Sequence, residues 1–329
     1  MKYPKISIIV PVGNAFRSRQ HKTLKKDLEE CIDHCLKLNY SNYEIIVLPD
    51  HEIKIKKPRV KFYPTGKLPP SAKRDIGSEI AKGELLAFID DDAYPRKDWL
   101  KNTVKYFKNK DVGAVGGPGI TPDSDNDLQK ASGYVYSSCF GASPSMRYRY
   151  IPTKKKEIDD YPTCNLIVRK DIFKKVGGFD TKYWPGEDTK FCLDLTKKLK
   201  KKMIYAPDVV VYHHRRPLFK KHLDQIRSYG THRGFFAKRF PETSSRPIYF
   251  LPSFFVLFLV FGWLSFFIYR YLFYLYLFGV ALYLFLVLLG SLSARRIKLV
   301  ILTFFGIITT HIWYGISFMK GFLSKDLKK

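Results

Sequence analysis

The hydrophobic positions of this chain fall into two regimes. Through the N-terminal two-thirds they form short runs, apolar at nearly every position: ISIIV (6–10), IIVL within YEIIVLPD (43–50), LLAFI (85–89) and VGAV within VGAVGG (112–117). Such runs read as strands buried on both faces of a parallel sheet. VKFYP (60–64) adds a short strand, TCNLIVRKDIFKKVGGFD (163–180) a strand, a short helix and a turn, and MIYAPDVVVYHH (203–214) one strand or two. Between them the period changes to that of helices. Residues 22–38 place Leu24, Leu28, Cys31 and Cys35 on one face, and residues 71–83 form a helix with Ser71 as N-cap and Gly83 at its end. A helix over about 97–107 follows the central strand, and residues 186–202 form another with Phe191, Leu195 and Leu199 on its apolar face. Residues 118–160 read as an irregular connection rich in Pro, Ser, Gly and Tyr, a length that is usually functional or disordered. Strands alternating with helices predict an α/β fold with a mostly parallel, Rossmann-like sheet and helices on both faces.

From Ile248 to Met319 the chain is dominated by Phe, Leu, Tyr, Val and Ile, with breaks at Tyr269–Arg270 and at ARRIK (294–298). Each stretch is about 20 residues, about the thickness of a bilayer core. Two or three transmembrane helices are expected, with three crossings favoured and His311 facing neighbouring helices. The apolar stretches predict a multi-pass protein of the cell membrane, and MKYPK leading straight into the first strand without a secretory leader predicts that the α/β domain lies in the cytoplasm. The organisation expected is an α/β domain over 1–214, a basic and aromatic interfacial segment over 215–247, a transmembrane region over 248–320 and a basic tail over 321–329.

Charge changes the picture by demanding an anionic partner. Lys and Arg number 57 against 30 Asp and Glu, a formal net charge of +27. No nucleic-acid module is visible, so the basic runs at 197–202 and 215–239 read as solvated or lipid-facing. Five cysteines, an odd number without framework spacing, exclude a disulfide scaffold and suit a reducing compartment. Cys31 and Cys35 flank His34 as a metal site would, but their helical spacing favours core packing.

The candidate chemistry sits at the ends of the apolar runs. LLAFI stops in three acids, Asp90, Asp91 and Asp92, either a solvated turn closed by Pro95 or a divalent cation site at the carboxyl end of a strand. Asp50 ends another strand, Glu187 and Asp188 open a helix after Trp184-Pro185-Gly186, and His213 and His214 end a late strand beside Arg215 and Arg216. Carboxylates and arginines on one sheet edge suit a phosphate-bearing substrate.

These residues, in this order, resemble the inverting family 2 glycosyltransferases of GT-A fold, of the membrane-attached type that builds exopolysaccharides and surface glycans. ISIIVPVGN looks like their opening strand, YEIIVLPD like the strand whose last Asp holds the base, and AKRDIG stands where the family has an Arg-Asn-x-Gly-like element. FIDDDAYP resembles the Asp-x-Asp metal motif, and GGFD with PGEDTKFCLDL the acceptor-side Glu-Asp motif. The resemblance covers about residues 6–240. VPVGN lacks the acid many members carry after the proline, and VLPD has one Asp where many have two. The Gln-x-x-Arg-Trp signature of processive synthases is absent, QIRSYG (225–230) standing instead, which argues for transfer of a single sugar.

The resemblance implies roles. Asp188 is the catalytic base, with Glu187 as fallback base or acceptor ligand. Asp92 and Asp90 hold Mn²⁺ or Mg²⁺ and His214 completes the metal shell. Pro11, Asp50, Lys73, Arg74, Asp90 and Asp91 contact the donor nucleotide, although alternation along an extended segment turns Asp91 away from its neighbours. Arg215 and Arg216 grip the diphosphate; the plainer readings are strand-capping histidines, lipid-facing arginines and, for Lys73 and Arg74, a solvated helix face. The donor expected is a nucleotide sugar, most simply a UDP-sugar, and the acceptor a lipid-linked glycan, with no nucleic acid involved. Rival readings are transfer directly to a polyprenyl phosphate and a membrane scaffold that keeps the fold without activity. A nucleotidyltransferase is disfavoured because no Gly-rich loop follows the first strand.

Overall fold

A computed structural model describes residues 3–13, 21–53, 57–141 and 145–327. The side chains of residues 21–25, Leu24 among them, fall outside that description, as do Asn14 and the last two lysines. The strands are β1 (Ile6–Pro11), β2 (Tyr43–Leu48), β3 (Val60–Phe62), β4 (Leu85–Ile89), β5 (Ala93–Pro95), β6 (Val112–Gly116), β7 (Gly119–Ile120), β8 (Lys156–Ile158), β9 (Asn165–Arg169), β10 (Lys202–Tyr205) and β11 (Val211–His213). The helices are α1 (His21–Leu36), α2 (Pro70–Ile80), α3 (Trp99–Val104), α4 (Asp127–Ser137), α5 (Lys170–Val176), α6 (Glu187–Leu193), α7 (Lys220–Arg239), α8 (Pro241–Ser244), α9 (Pro247–Phe261), α10 (Ser265–Ile268), α11 (Arg270–Ser291) and α12 (Ile297–Leu323). The chain divides into two compact units, one of residues 1–120 with 151–214 and one of residues 121–150 with 215–329.

The first unit is the α/β fold. Its main sheet has eight strands in the order β3-β2-β1-β4-β9-β6-β10-β8. β1, β2, β3 and β4 are parallel, as are β6 and β10, while β9 runs antiparallel between β4 and β6 and β8 antiparallel on the edge. Every residue of β1, β2, β4, β6 and β9 is buried, as their continuous apolar runs require. Leu28, Cys31 and Cys35 are buried in the same core, so these cysteines pack as small hydrophobes. A small second sheet, β5-β11-β7, pairs β11 antiparallel to β5 so that His213 faces Ala93.

Helix ends differ from the sequence expectation. α2 starts at Pro70, with Pro69 rather than Ser71 at the cap, because proline is preorganised for a first turn. It ends at Ile80, before Gly83, which is needed for a different reason: a Cβ there would stand 2.5 Å from the backbone nitrogen of Ser7. The helix opened by Glu187 ends its α geometry at Leu193 and continues as a π turn over Asp194–Lys198. The connection expected to be irregular contains α4, started by a capping box of Asn126 and Gln129.

Asn165 joins the strands around the acidic triplet. It pairs in register with Ile89, the residue before Asp90. Its amide donates to the carbonyls of Gly117 (2.6 Å) and Val209 (2.8 Å) and accepts from Trp99 Nε1 (2.9 Å), all fully enclosed. Asn165→Leu would strand an indole N–H and two carbonyls in the core. It should lower the unfolding free energy by about 3 kcal/mol or more, read by urea titration of the detergent-solubilised chain. An unchanged midpoint would remove Asn165 from this role.

The second unit holds α4 and everything from Arg215 onward. Three of its helical stretches, Pro247–Ile268, Arg270–Ala294 and Ile297–Leu323, are long and apolar enough to cross a membrane.

Candidate active site

β1, β2 and β4 are parallel, so their carboxyl ends Pro11, Leu48 and Ile89 share one edge of the sheet. The chain beyond each end brings in Val12, Asp50 and Asp90–Asp92. α2 supplies the cations that organise this edge. Lys73 and Arg74, expected to touch phosphate, are instead 1% and 4% exposed. Lys73 Nζ donates to the carbonyls of Val12 and Leu48 and to the Asp50 carboxylate. It therefore ties β1 to β2 and orients Asp50, and Gly13 is needed beside them because a Cβ there would meet Asp50 Oδ1 at 2.9 Å.

Arg74 reaches the other way. Its guanidinium donates to Asp90 Oδ1 (2.7 Å) and Glu187 Oε1 (3.3 Å). One buried cation thus joins the acid after β4 to the first turn of α6. Burial opposes its charge, but Asp90, Glu187 and Asp188 outweigh that and raise its pKa. Glu187 is itself buried, and burial followed by the Asp188 charge pushes its carboxyl well up, against the pull of Arg74. The Gly-Gly-Phe-Asp stretch completes the seat. Gly177 and Gly178 take φ of +92° and +77°, which only glycine adopts without strain, and Phe179 N donates to Asp75 Oδ1 (2.9 Å). Phe179 then packs on Phe88, Phe173 and Phe191, with the Arg74 guanidinium 6.0 Å over its ring.

Asp90, Asp92 and His213 come together, with one ligand atom of each within 4.8 Å of the others. His213 Nε2 lies 3.2 Å from Asp92 Oδ1. This corrects His214 as the metal ligand: its Nε2 lies 3.1 Å from Glu30 Oε2. The reason is strand parity, because β11 turns successive side chains to opposite faces and the Ala93 register puts His213 beside Asp92. Asp91 is buried and stands outside the group.

The three residues fit a divalent cation. Adjacent ligands on an octahedral ion of Mg²⁺ or Mn²⁺ size stand roughly 3 Å apart, the His213–Asp92 separation. Two carboxylates with one imidazole are a hard oxygen set with a borderline nitrogen, suited to Mn²⁺. Burial opposes a charged His213, yet Asp92 overrides it and raises its pKa to about 10; a cation held here would have to displace that proton, because only neutral imidazole has a lone pair to give.

Asp188 is half-buried at the start of α6, and one of its oxygens accepts from Thr189 N (2.7 Å). Thr189 Oγ1 in turn donates to Asp160 (3.0 Å), fixing that first turn. Pro11 is buried at the end of β1 opposite Leu48. The arginines expected on the diphosphate belong to the second unit. Arg215 is enclosed there: its N–H donates to Asp125 (3.1 Å), its Nε to Thr121 (3.1 Å), and its guanidinium lies 5.1 Å over Tyr150 and 5.9 Å over Tyr136. Within its unit Arg215 thus orders the residues around it, and Arg216 is half-buried. Sequence reasoning passed over His213 and the bridging use of Arg74, since neither register nor burial is printed in a motif.

A mostly parallel α/β sheet with acids at its carboxyl edge defines a transferase of GT-A fold. Residues 7–177, just over half the chain, match the family described as Glycosyl transferase family 2, and the chain belongs to that family: it is a family 2 glycosyltransferase. It is 24% identical over 252 residues, 71% of this chain and 74% of the relative, to the dolichyl N-acetyl-alpha-D-glucosaminyl phosphate 3-beta-D-2,3-diacetamido-2,3-dideoxy-beta-D-glucuronosyltransferase of Methanococcus voltae. It is 26% identical over 151 residues to the glucosyl-dolichyl phosphate glucuronosyltransferase of Haloferax volcanii, covering 44% of this chain and 47% of that one. Among solved structures, a mannosyltransferase from Pyrobaculum calidifontis in complex with GDP-Man and Mn²⁺ shares the fold with a TM-score of 0.53 and 17% identity, covering 98% of this chain and 88% of that one.

The Arg74 bridge makes a prediction about stability. Arg74→Met should cost about 3 kcal/mol, because it leaves the buried Glu187 carboxyl and the part-buried Asp90 without their donor. Adding Glu187→Gln should return part of that loss, with a coupling of about 1–3 kcal/mol, measured by urea unfolding of the four members of the cycle. Strict additivity would mean that Arg74 and Glu187 do not act as a pair.

Proposed function

We propose that the protein transfers one sugar from a nucleotide-diphosphate sugar to a lipid-linked glycan, with inversion, on the cytoplasmic side of a membrane. The observation that carries this reading is the single cluster in which Arg74 joins Asp90 to Glu187 beside Asp188. In this reading Asp90, Asp92 and His213 hold a divalent cation. When bound, it neutralises charge developing on the departing diphosphate. The acceptor hydroxyl oxygen attacks the anomeric carbon, the bond from that carbon to the diphosphate oxygen breaks, and its electron pair leaves on the nucleoside diphosphate. Asp188 takes the hydroxyl proton. It suits this better than Glu187, which is enclosed and already bonded to Arg74. One displacement gives one inversion. Asp50, held by Lys73, faces the nucleoside end of the donor in this reading, as the family resemblance implies.

Support for a lipid-linked acceptor comes from the three apolar helices and from relatives whose names specify dolichyl phosphate sugars. A UDP base has no residue of the described site behind it, so the donor is left as a nucleotide sugar. The scaffold reading predicts a vacant catalytic edge, whereas every expected carboxylate is present. The test is nucleoside diphosphate release from a panel of nucleotide sugars with lipid-linked acceptors. Asp188→Asn should retain donor binding and reduce turnover by roughly a hundredfold or more, the loss of a general base. Turnover near that of the unsubstituted protein would reassign the base.

A further inference from the structure

The three apolar helices of the second unit are not equivalent. Within their apolar windows 11% and 6% of residues are buried for the first two, but 33% for α12. What covers α12 is α7, a helix whose other face is charged, and α4. α7 runs parallel to it: His222 Nε2 meets Thr310 (2.9 Å), Gly230 lies against Tyr314 and Ser317, Gly234 against Phe318 and Phe322, and Lys238 Nζ donates to Ser324 O (2.7 Å). The backbones touch, since a Cβ on Gly234 would stand 2.0 Å from Phe318 O and one on Gly321 1.9 Å from Thr231 O. From Thr310 to Ser324 the two helices keep company for about 21 Å. The N-terminal half of α12 is covered by α4: Leu299 and Ile307 share a cluster with Ala131 and Val135, and Asp127 pairs with Lys298 (2.8 Å) and Arg296 (3.3 Å).

α7 cannot enter a bilayer core. It exposes Lys220, Lys221, Asp224, Arg227, Lys238 and Arg239 from end to end, and charged side chains at mid-bilayer are strongly unfavourable. A helix packed parallel to α7 and pinned to α4 is excluded from crossing for the same reason. Meanwhile α9 and α11 meet α12 near its own Gly315 and His311, through Pro252, Ser253 and Tyr283. Their far parts, from Leu257 to Phe278, are bare Phe, Leu, Tyr and Trp. Among the exposed positions of α12, Ile297, Ile301, Phe305, Trp313, Ile316 and Leu323 recur at helical spacing on one face, with Lys320 at its C-terminal end.

We propose that α12 does not cross the membrane but lies in its interfacial plane, one face on α4 and α7 and the other in lipid, while α9 and α11 cross as a hairpin. The partner of this surface is an anionic bilayer. Two crossings leave Arg295, Arg296 and Lys298 on the same side as Lys320, Lys325 and α7, as positive charge prefers; a third would divide them. The inference rests on the reading that the apolar helices are in a membrane, and the test separates the two.

The full chain is prepared in sealed vesicles of stated side, with Lys220→Cys, Arg270→Cys or Lys325→Cys, and treated with a membrane-impermeant maleimide against the unsubstituted chain as background. Alkaline carbonate extraction comes first: release of the chain from vesicles would sink the membrane reading and the proposal with it. With the chain retained, the 220 and 325 variants should label from one side and the 270 variant from the other. Labelling of the 325 variant with the 270 variant would establish a third crossing and overturn the proposal, as would labelling of all three from one side. Nitroxides at Ile301, Phe305, Trp313 and Ile316 give a second reading. Equal, shallow depths agree with an in-plane helix, and a depth profile with a maximum between 305 and 313 contradicts it.

Discussion

One buried guanidinium sets the geometry of the catalytic unit. Arg74 leaves α2 between the end of β4 and the start of α6 and bonds to an acid from each. These two segments are nearly a hundred residues apart in sequence, and neither alone has reason to fix its carboxylate. A charge that is 4% exposed is sustained only while its partners stay, and it holds both of their carboxyl groups in place. Around this pair the other devices make sense. Gly177 and Gly178 turn the chain so that Phe179 lies under the guanidinium, and Asp75 holds that turn by its backbone. Lys73, the neighbour on α2, performs the parallel task for β1, β2 and Asp50.

The division of charge between the two units follows a similar logic. In the catalytic unit the acids converge and buried cations bond them together. In the second unit basic residues dominate the exposed face of α7, while Arg215 is enclosed by Tyr136 and Tyr150. The net charge of +27 is therefore not gathered on one surface: the second unit carries about half of it, with α7 as its most exposed basic helix. α4, inserted between strands of the catalytic fold, belongs by its contacts to this second unit and ties the start of α12 through Asp127.

Much of the fold is legible in the sequence because buried parallel strands leave continuous apolar runs, and β1, β2, β4 and β6 are those runs. α4 was hidden because Gly, Ser and Tyr carry little helix signal and its cap, Asn126, looks like any turn residue. The acids of the site are visible as abrupt ends to apolar strands. Their partners are not. Whether His213 or His214 faces Asp92 depends on one residue of register between β5 and β11, three-residue strands with no alternation long enough to read. Lys73 and Arg74 look like surface charges on an amphipathic helix, and only the burial of α2 against β1 and β2 turns them inward. Three apolar stretches are equally plain in sequence, but which of them is covered by a charged helix is a matter of packing.

The central claim is that one cation site is assembled from Asp90 and Asp92 after β4 and His213 on β11. The most direct measurement is pulsed electron paramagnetic resonance of Mn²⁺ bound to the full protein, which detects a directly coordinated imidazole nitrogen. The account predicts a ¹⁴N coupling in the unsubstituted protein that persists in His214→Ala and is lost in His213→Ala. A coupling lost in His214→Ala and kept in His213→Ala would contradict it.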